Sequence, residues 1–280
     1  MEHMTARQSL LALGYAHIPN VFTADEIASL RATIQQHLSD HKRGTPSSFG
    51  RVEPLGVLEI PELRALIGDR RIVDLVSELL STLEPEFLLH CDAHRNDRSS
   101  WHKDTGEAVV RDGYFGRPVF HLNDCLVVKL AIYCEDHVDD DGGLHVKPGS
   151  HHDPAVAGGK ELAIDTRVGD VVAFDVRITH MGAREAFRHR AMTALKLRLP
   201  SRLQRRAGSV FTATEEVLFS QTERTSLFFS FGARDVEPDL TRRFARTNWE
   251  RACSQARRDF EVPDSVIKEL SLLNVDVVGF

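Results

Sequence analysis

Residues 99–106 read Ser-Ser-Trp-His-Lys-Asp-Thr-Gly, and the rest of the chain is best interpreted outward from them. His102 and Asp104 are two positions apart in this run. Side chains two positions apart on an extended strand point to the same side. The spacing therefore predicts that one imidazole and one carboxylate project together into one cavity, which is part of a metal site but not a complete one.

A second imidazole stands at the end of residues 171–180, Val-Val-Ala-Phe-Asp-Val-Arg-Ile-Thr-His. His180 ends a stripe of apolar residues that alternate along one face of the predicted strand, namely Val172, Phe174, Val176 and Ile178. This pattern is typical of a core-facing strand that ends at a pocket. Two histidines and one carboxylate with open coordination positions form the facial triad that binds non-haem Fe(II). We therefore predict that His102, Asp104 and His180 bind a metal ion.

Two other parts of the sequence carry ligand-type residues and are less suited to this role. A rival His-x-Asp pair lies at residues 90–92, also within a predicted strand, but it lacks the preceding Trp and the following Thr-Gly of residues 101–106. The acidic run at residues 139–141 is expected to be a solvated turn, because Asp and Gly together favour turns.

Composition limits the class of protein. The chain has 280 residues, 42% of them hydrophobic, which is enough for one sizeable core. Its formal net charge of −6 argues against a nucleic-acid-binding protein. The four cysteines form no Cys-x-x-Cys pair, so we expect reduced thiols in a cytoplasmic protein. No apolar run is long enough to span a bilayer.

The order of predicted elements favours a β core between two helical parts. Thr23 and Glu26 have the spacing of a capping box ahead of a helix, and residues 10–22 before them look strand-like. Further helices are predicted at residues 61–66, 72–80, 241–259 and 265–273. Short strands separated by Gly, Pro and Asp turns are predicted at residues 87–94, 125–134, 144–146, 171–180 and 224–232. Such a series of strands is typical of a β sandwich or barrel.

Four pieces of this sequence resemble the phytanoyl-CoA dioxygenase-like family of Fe(II)/2-oxoglutarate oxygenases and occur in the family's order. They are Gly14-Tyr15 with Ile18-Pro19, Trp101-His102-Lys103-Asp104, residues 141–151 (DGGLHVKPGSH), and residues 168–175 (VGDVVAFD) leading to His180. The His-x-Asp motif alone has little specificity, but the combination in this order is fairly specific. The resemblance covers roughly residues 10–232.

The resemblance implies a mainly β fold with flanking helices, a double-stranded β-helix of the jelly-roll, cupin-like type. We expect one oxygenase domain over residues 1–280, with a mainly helical part (1–84), a jelly-roll core (85–183 and 224–234), a basic insertion (184–223) and a helical C-terminal extension (235–280). The resemblance also implies Fe(II), 2-oxoglutarate and O₂, with hydroxylation of a C–H bond and release of succinate and CO₂. Related halogenases replace the carboxylate by a small residue, so Asp104 favours hydroxylation or desaturation.

The family holds the far carboxylate of 2-oxoglutarate with an arginine on the strand after the distal histidine. Arg190 has about the family's spacing from His180, whereas Arg224 begins a segment that fits the family's strand pattern better. We prefer Arg224 and keep Arg190 as the alternative, since either guanidinium can hold a carboxylate in a bidentate manner. Ser100, on the predicted face of His102, and Lys129, within a predicted strand, are further candidates for contact with 2-oxoglutarate.

Basic residues around the predicted mouth favour an anionic prime substrate, with Arg95, Lys103 and Arg184 as candidate contacts. Phosphonates, acyl-CoA and the Kdo sugars of lipid A all meet this requirement. Residues 184–206 carry eight Lys and Arg against one acid, with leucines between them. Such a segment predicts peripheral contact with the inner face of the cytoplasmic membrane. A Kdo hydroxylase-like enzyme acting on a lipid-linked sugar is the leading prediction.

A function of another class fits the same fold. A cupin-like metal-dependent isomerase or hydrolase, or a non-catalytic sugar-binding jelly roll, would share the strands and some of the ligands. The arginine for 2-oxoglutarate separates the two classes, because an isomerase has no reason to place a bidentate arginine opposite the triad.

Overall fold

The structure is a computed structural model that describes residues 4–39, 44–46, 50–108, 110–139, 142–182 and 224–279. Its strands are β1 (Tyr15–Ile18), β2 (Thr45–Pro46), β3 (Arg51–Glu53), β4 (Pro85–Phe87), β5 (Ala93–Arg95), β6 (Val127–Tyr133), β7 (His145–Val146), β8 (Leu162–Ala163), β9 (Val171–Asp175), β10 (His180–Met181), β11 (Thr225–Ala233) and β12 (Asp276–Val277). Its α-helices are α1 (Ala6–Leu13), α2 (Ala24–Ser39), α3 (Gly56–Glu59), α4 (Arg70–Leu80), α5 (Pro238–Ala256) and α6 (Asp264–Leu272). Two short 3₁₀ helices span Pro61–Leu66 and Ser150–His152.

Two sheets form the centre of the fold, and their strand pairs are antiparallel except for the parallel pair β4–β12. The larger has the order β1-β9-β6-β11-β5-β3-β2, with β4 beside β11 and β12 beside β4. The smaller has the order β10-β7-β8. Apolar side chains from both sheets form one buried cluster, with Tyr133 and Phe174 from the larger sheet and Val146 from the smaller. Two sheets closed over such a core are the jelly-roll architecture that the sequence predicts.

The central pair of strands, β6 and β11, is buried along its whole length. It is paired over seven residues of each strand, from Ser226 opposite Tyr133 to Gly232 opposite Val127. Strands buried on both faces are near-continuous apolar runs, and this explains why residues 125–134 and 224–232 stood out in the sequence. β11 is thus the core strand that follows β10 in the described part of the chain.

Helices α2 and α4 pack on the main core through apolar faces, with Ile27, Ile34 and Val76 fully buried. The predicted capping box is present, since the backbone N–H of Thr23 donates to Glu26 at 2.8 Å and that of Glu26 donates to Thr23 Oγ1 at 3.3 Å. None of the helices in the described ranges is long and apolar enough to cross a membrane.

Three predicted elements differ from the structure. Residues 10–13 of the predicted strand-like entry are the last residues of α1, and Gly14, with φ of +83°, caps that helix before β1. The strand at residues 87–94 is two strands, β4 and β5, because Leu89 has φ of +59° and breaks the extended run. The long strand to His180 ends at Asp175, where a turn follows.

The turn after β9 changes the expected stripe of apolar residues. Phe174 and Ile178 belong to the cluster between the sheets, whereas Val176 packs in the main core. The N–H of Ile178 donates to the carbonyl of Asp175 at 2.9 Å. His180 therefore starts a new strand, β10, on the smaller sheet.

Candidate metal centre

A single antiparallel bridge brings the two histidines together. The N–H of His102 donates to the carbonyl of His180, and the N–H of His180 donates to the carbonyl of His102, both at 2.9 Å. The N–H of Asp104 then donates to the carbonyl of Val176 at 2.9 Å. The extended strand predicted for His102 and Asp104 is therefore shorter than expected, because only His102 makes a bridge. The predicted consequence still holds, since both side chains reach one site.

The three predicted ligands converge. One ligand atom from each of His102, Asp104 and His180 lies within 4.8 Å of the others. Oδ1 of Asp104 is 3.4 Å from Nε2 of His102, and Oδ2 is 3.5 Å from Nε2 of His180. The His102 side chain is 38% exposed and that of His180 only 5%, so the site opens on the His102 side. A His-Asp-His metal site is thus present, with three protein ligands from two separate segments.

Backbone carbonyls fix the tautomer of both imidazoles. Nδ1 of His102 is 2.7 Å from the carbonyl of Ser100, and Nδ1 of His180 is 3.1 Å from that of Ile178. A carbonyl can only accept, so each Nδ1 must carry a proton, and in the neutral imidazole Nε2 then has the lone pair. Such a contact is the usual outer-shell support of a metal-binding histidine. The donor set therefore fits a divalent ion.

Burial and neighbouring charges keep Asp104 and His180 in the forms that bind metal. Burial opposes ionisation of Asp104, but the ammonium of Lys129 and the two imidazoles hold the pKa of its carboxyl well below the usual range. Burial and the neighbouring His102 lower the pKa of His180 to about 3. Burial also opposes the charge on His102, but its hydrogen bond to Asp104 raises the pKa of that imidazole. Asp104 is thus anionic and His180 neutral at physiological pH.

The triad lies in a cavity of about 340 Å³, within the size range of small-molecule sites. Its walls carry five cationic side chains, those of Arg98, Lys103, Lys129, Arg224 and Arg251. They carry three carboxylates, those of Asp92, Asp97 and Asp104. Counting histidines as neutral, the lining has two positive charges in excess.

Arg224 lines this cavity next to the start of β11. The residue is 7% exposed, and its guanidinium carbon is 5.2 Å from the centre of the Tyr133 ring. It donates to the carbonyl of Asp97 and, at 3.4 Å, to Tyr133 Oη. Its buried Nε has no hydrogen-bond partner among the described residues. Arg224 therefore lies in the wall of the metal cavity, and its role toward 2-oxoglutarate stays a prediction.

Two other predicted site residues, Lys129 and Lys103, line the cavity. Lys129 lies in the cavity wall, with Nζ 2.7 Å from Asp104 Oδ2. Lys103 also lines the cavity, but its Nζ donates to two backbone carbonyls, those of Ser150 and Arg177, at 2.8 Å each. This ammonium therefore links three segments of backbone, which argues against its use for substrate.

Two predictions do not match the cavity, and two fall outside the described residues. Ser100 is exposed and absent from the lining, because residues 98–100 form no strand and the alternation of sides does not extend to them. Ser99 lines the cavity instead. Arg95 lies in β5 between β3 and β11 and is also absent from the lining. Arg184 and Arg190 lie in residues 183–223, which the structure does not describe.

The rival pair at residues 90–92 lines the same cavity but forms no second metal cluster in the described ranges. His90 Nδ1 is 3.0 Å from Ser230 Oγ, and its Nε2 is 3.5 Å from Asp92 Oδ2. Arg251 Nη2 lies 3.7 Å from the same carboxylate oxygen. Asp92 thus faces a cation and an imidazole, and this pair belongs to the cavity wall.

Sequence reasoning missed the contribution of α5 to the cavity. Phe244, Asn248 and Arg251 line it from this helix, together with Tyr114 from the loop after the metal-binding segment. Helical spacing could have shown that the three α5 residues share a face, since they are four and three positions apart. It could not have shown which part of the core that face covers.

A family model for phytanoyl-CoA dioxygenase (PhyH) matches residues 12–189, which is more than half of the chain. The matched part contains His102, Asp104 and His180, and it ends before Arg190, Arg224 and helix α5. No curated protein matches the chain.

Solved structures of low sequence identity share the fold. The epimerase SnoN from nogalamycin biosynthesis, in complex with Fe³⁺, alpha-ketoglutarate and nogalamycin RO, is 16% identical over 81% of this chain and 82% of its own, with a TM-score of 0.56. The carbocyclase SnoK from the same biosynthesis is 20% identical over 82% and 83%, with a TM-score of 0.55. HygX from Streptomyces hygroscopicus, with nickel and 2-oxoglutarate bound, is 16% identical over 81% and 85%, with a TM-score of 0.53. The predicted double-stranded β-helix is confirmed.

Proposed function

The chain belongs to the phytanoyl-CoA dioxygenase (PhyH) family of Fe(II)- and 2-oxoglutarate-dependent oxygenases, and on this premise we propose that it hydroxylates an anionic small molecule or lipid-linked sugar. Succinate and CO₂ would be the co-products. The observation that carries the proposal is the presence of the His-Asp-His triad, Arg224 and an excess of positive charge in one cavity.

His102, Asp104 and His180 would hold the iron, because their free Nε2 atoms and one carboxylate are the donor set of the facial triad. Bound there, iron with 2-oxoglutarate and O₂ supplies the oxidising power for attack on a C–H bond. The residues of this chain orient the reactants and exclude water from the cavity.

Arg224 is the group we propose for the far carboxylate of 2-oxoglutarate. A guanidinium can donate two parallel hydrogen bonds to a carboxylate. Arg224 immediately precedes β11, the core strand that follows β10 in the described part of the chain, and this position supports the role over the alternative, Arg190. Lys129 is proposed as a second positive charge near the co-substrate, since its ammonium lies beside Asp104.

The charge of the cavity supports an anionic prime substrate. Fe(II) and the dianion of 2-oxoglutarate neutralise each other, so the excess of two positive charges in the lining remains when both are bound. A positively charged cleft attracts anions and raises their local concentration. Among anionic substrates, the Kdo sugar of lipid A stays our leading candidate, and phosphonates and acyl-CoA are the alternatives. Residues 184–206, the basic segment for which we predict contact with the membrane that carries such a substrate, lie outside the described residues.

Succinate formation tests the proposal. We expect wild-type protein with Fe(II), O₂ and 2-oxoglutarate to form succinate slowly without prime substrate, and His180→Ala to form none. A Kdo-containing lipid A precursor, free Kdo, a phosphonate and an acyl-CoA should each be tested for stimulation, with the methyl ester of Kdo as the neutral counterpart of the free acid. The absence of succinate in the wild type would reject the oxygenase. Stimulation by the neutral ester equal to that by the acid would reject the anionic substrate.

Arg224 also separates this function from that of a cupin-like isomerase, a hydrolase or a sugar-binding jelly roll. Such proteins do not consume an oxo-acid. If Arg224→Ala and the wild type both lack 2-oxoglutarate turnover while a sugar is isomerised or bound, the alternative class is correct.

A further inference from the structure

Helix α5 closes one side of the metal cavity although it lies outside the part of the chain that the family model matches. Phe244, Asn248 and Arg251 line the cavity and share one face of the helix, being four and three residues apart. Part of the cavity wall therefore comes from a helix that supplies none of the iron ligands.

The helix is held firmly against the metal-binding segment. Phe244 is fully buried, and its ring lies 5.9 Å from that of Tyr114 and 5.1 Å from that of Phe115. The N–H of Tyr114 donates at 2.7 Å to the carbonyl of Thr105, the residue after the metal-binding Asp104. Polar groups on this face are thus fixed relative to the triad.

Two hydrogen-bond donors in this part of the cavity wall have no partner in the described part of the chain. Asn248 is 3% exposed, and its Oδ1 accepts from Arg251 Nε at 2.8 Å, which leaves its NH₂ group. Tyr114 is 7% exposed. Within the described ranges, nothing accepts from the Asn248 NH₂, and no hydrogen bond involves the Tyr114 hydroxyl. Neither donor is among the fully enclosed side-chain atoms without a partner, so both reach the open space of the cavity, where a ligand could accept from them.

An acceptor faces the same space. Asp92 is 7% exposed, and its Oδ1 accepts from the backbone N–H of Leu55 at 3.1 Å. Its Oδ2 is 3.5 Å from His90 Nε2 and 3.7 Å from Arg251 Nη2, distances that leave it without a short hydrogen bond. The cavity wall thus offers Asn248, Tyr114 and Arg251 as donors together with one carboxylate oxygen of Asp92.

We propose that Asn248, Arg251, Tyr114 and Asp92 form a subsite for a polyhydroxylated group of the prime substrate, that of a sugar or an acyclic polyol. A hydroxyl group both donates and accepts, so it can give a hydrogen bond to Asp92 while it accepts one from Asn248 or Tyr114. A carboxylate or phosphate can only accept, and Asp92 would repel it. The subsite therefore binds the hydroxyl-bearing part of the substrate, and the other cationic groups of the cavity attract its anionic part.

This inference rests on the proposed oxygenase function, because it assigns the same cavity to the prime substrate. Its test uses D-gluconate, which has a carboxylate and five hydroxyls, and hexanoate, which has the same chain length without hydroxyls. Binding is measured by calorimetry on anaerobic protein loaded with Fe(II) and 2-oxoglutarate. Wild-type protein should bind gluconate at least about tenfold more tightly than hexanoate, since only gluconate has hydroxyls that can form hydrogen bonds in the subsite.

Two variants test whether Tyr114 and Asn248 cause the tighter binding of gluconate. Tyr114→Phe removes only a hydroxyl, and Asn248→Asp replaces the NH₂ donors by an oxygen while Oδ1 can still accept from Arg251. Both should weaken gluconate binding, by about threefold to tenfold for Tyr114→Phe and by more for Asn248→Asp. Glu250→Gln, at an exposed position of the same helix, is the matched control and should bind gluconate like the wild type.

The outcomes separate the inference from the function on which it rests. Gluconate selectivity that both variants reduce supports the subsite. Equal binding of gluconate and hexanoate, or gluconate binding that neither variant changes, overturns it. Succinate formation without prime substrate is measured on the same samples, and its absence from the wild type counts against the oxygenase whatever the calorimetry shows.

Discussion

The ammonium of Lys129 lies 2.7 Å from Oδ2 of Asp104, so a fixed positive charge sits beside the iron-binding carboxylate. Lys129 is in the middle of β6 and is 8% exposed. The rings of Phe228 and Phe174 lie 5.0 and 5.9 Å from its Nζ. A lysine in a buried central strand is unusual, and its contact with Asp104 explains why this one is tolerated.

Lys129→Met is predicted to change the affinities for the metal and for the co-substrate in opposite directions. Without the ammonium, a divalent ion is repelled less and should bind more tightly, while 2-oxoglutarate loses an attractive charge and should bind about tenfold more weakly. Co(II) and 2-oxoglutarate titrations measure both, with Lys129→Arg as the charge-conserving control. Weaker Co(II) binding in Lys129→Met would instead mean that the lysine serves to orient Asp104.

Arg224→Lys should raise the KM for 2-oxoglutarate by about two orders of magnitude in the succinate assay. The change keeps the charge and removes the fork that binds a carboxylate with two hydrogen bonds. Arg234→Lys is a matched control, since Arg234 is paired with Asp276 on the surface. If Arg190→Lys raises the KM and Arg224→Lys does not, the role belongs to Arg190.

Arg177→Leu is predicted to destabilise the protein by about 3–5 kcal/mol, because it leaves the carboxylate of Asp175 buried without its partner. Arg177 and Asp175 are each 1% exposed, and Nη2 of the arginine is 2.7 Å from Oδ2 of the aspartate. The guanidinium also donates to the carbonyls of Val119, Leu122 and Asp124. Urea unfolding measures the loss, and a change below about 1 kcal/mol would contradict the account.

Lys103 should make stability depend on pH in the alkaline range. Burial lowers the pKa of Lys103 to about 8, against about 10.4 in an unfolded chain. Between these values the unfolded chain holds a proton that the folded protein has lost, so stability rises with pH. The free energy of unfolding of the wild type, minus that of Lys103→Met, should increase from about pH 8 to about pH 10. A flat or falling difference over this interval would show that Lys103 stays fully charged in the fold.

The three metal ligands of the candidate site could be predicted from the sequence, because short spacings along the chain indicate on which side of a strand each of them lies. His102 and Asp104 share a side in any extended conformation, and His180 follows the apolar strand β9. Arg224 could be selected as a candidate for the cavity wall because it immediately precedes β11, a strand with an almost continuous apolar sequence. The prediction of a long strand to His180 was wrong because alternation does not reveal the turn that the buried Asp175 and Arg177 stabilise.

The remainder of the cavity depends on contacts between distant parts of the chain. Asp92 and Arg251 are separated by more than 150 residues, and no local pattern indicates that they meet. Ser100 was placed in the site by extending the alternation two residues too far. Arg95 was chosen for its charge, and strand pairing directs it away from the cavity.

The central claim is that His102, Asp104 and His180 bind one Fe(II) while leaving room for 2-oxoglutarate. The most direct measurement is an anaerobic titration of Fe(II) into protein with 2-oxoglutarate, followed by the visible charge-transfer absorption of the iron–oxo-acid complex. The account predicts that the absorption saturates at about one iron per chain in the wild type and in His90→Gln, and is lost in His102→Ala and His180→Ala. No absorption in the wild type, or full absorption in His180→Ala, would contradict it.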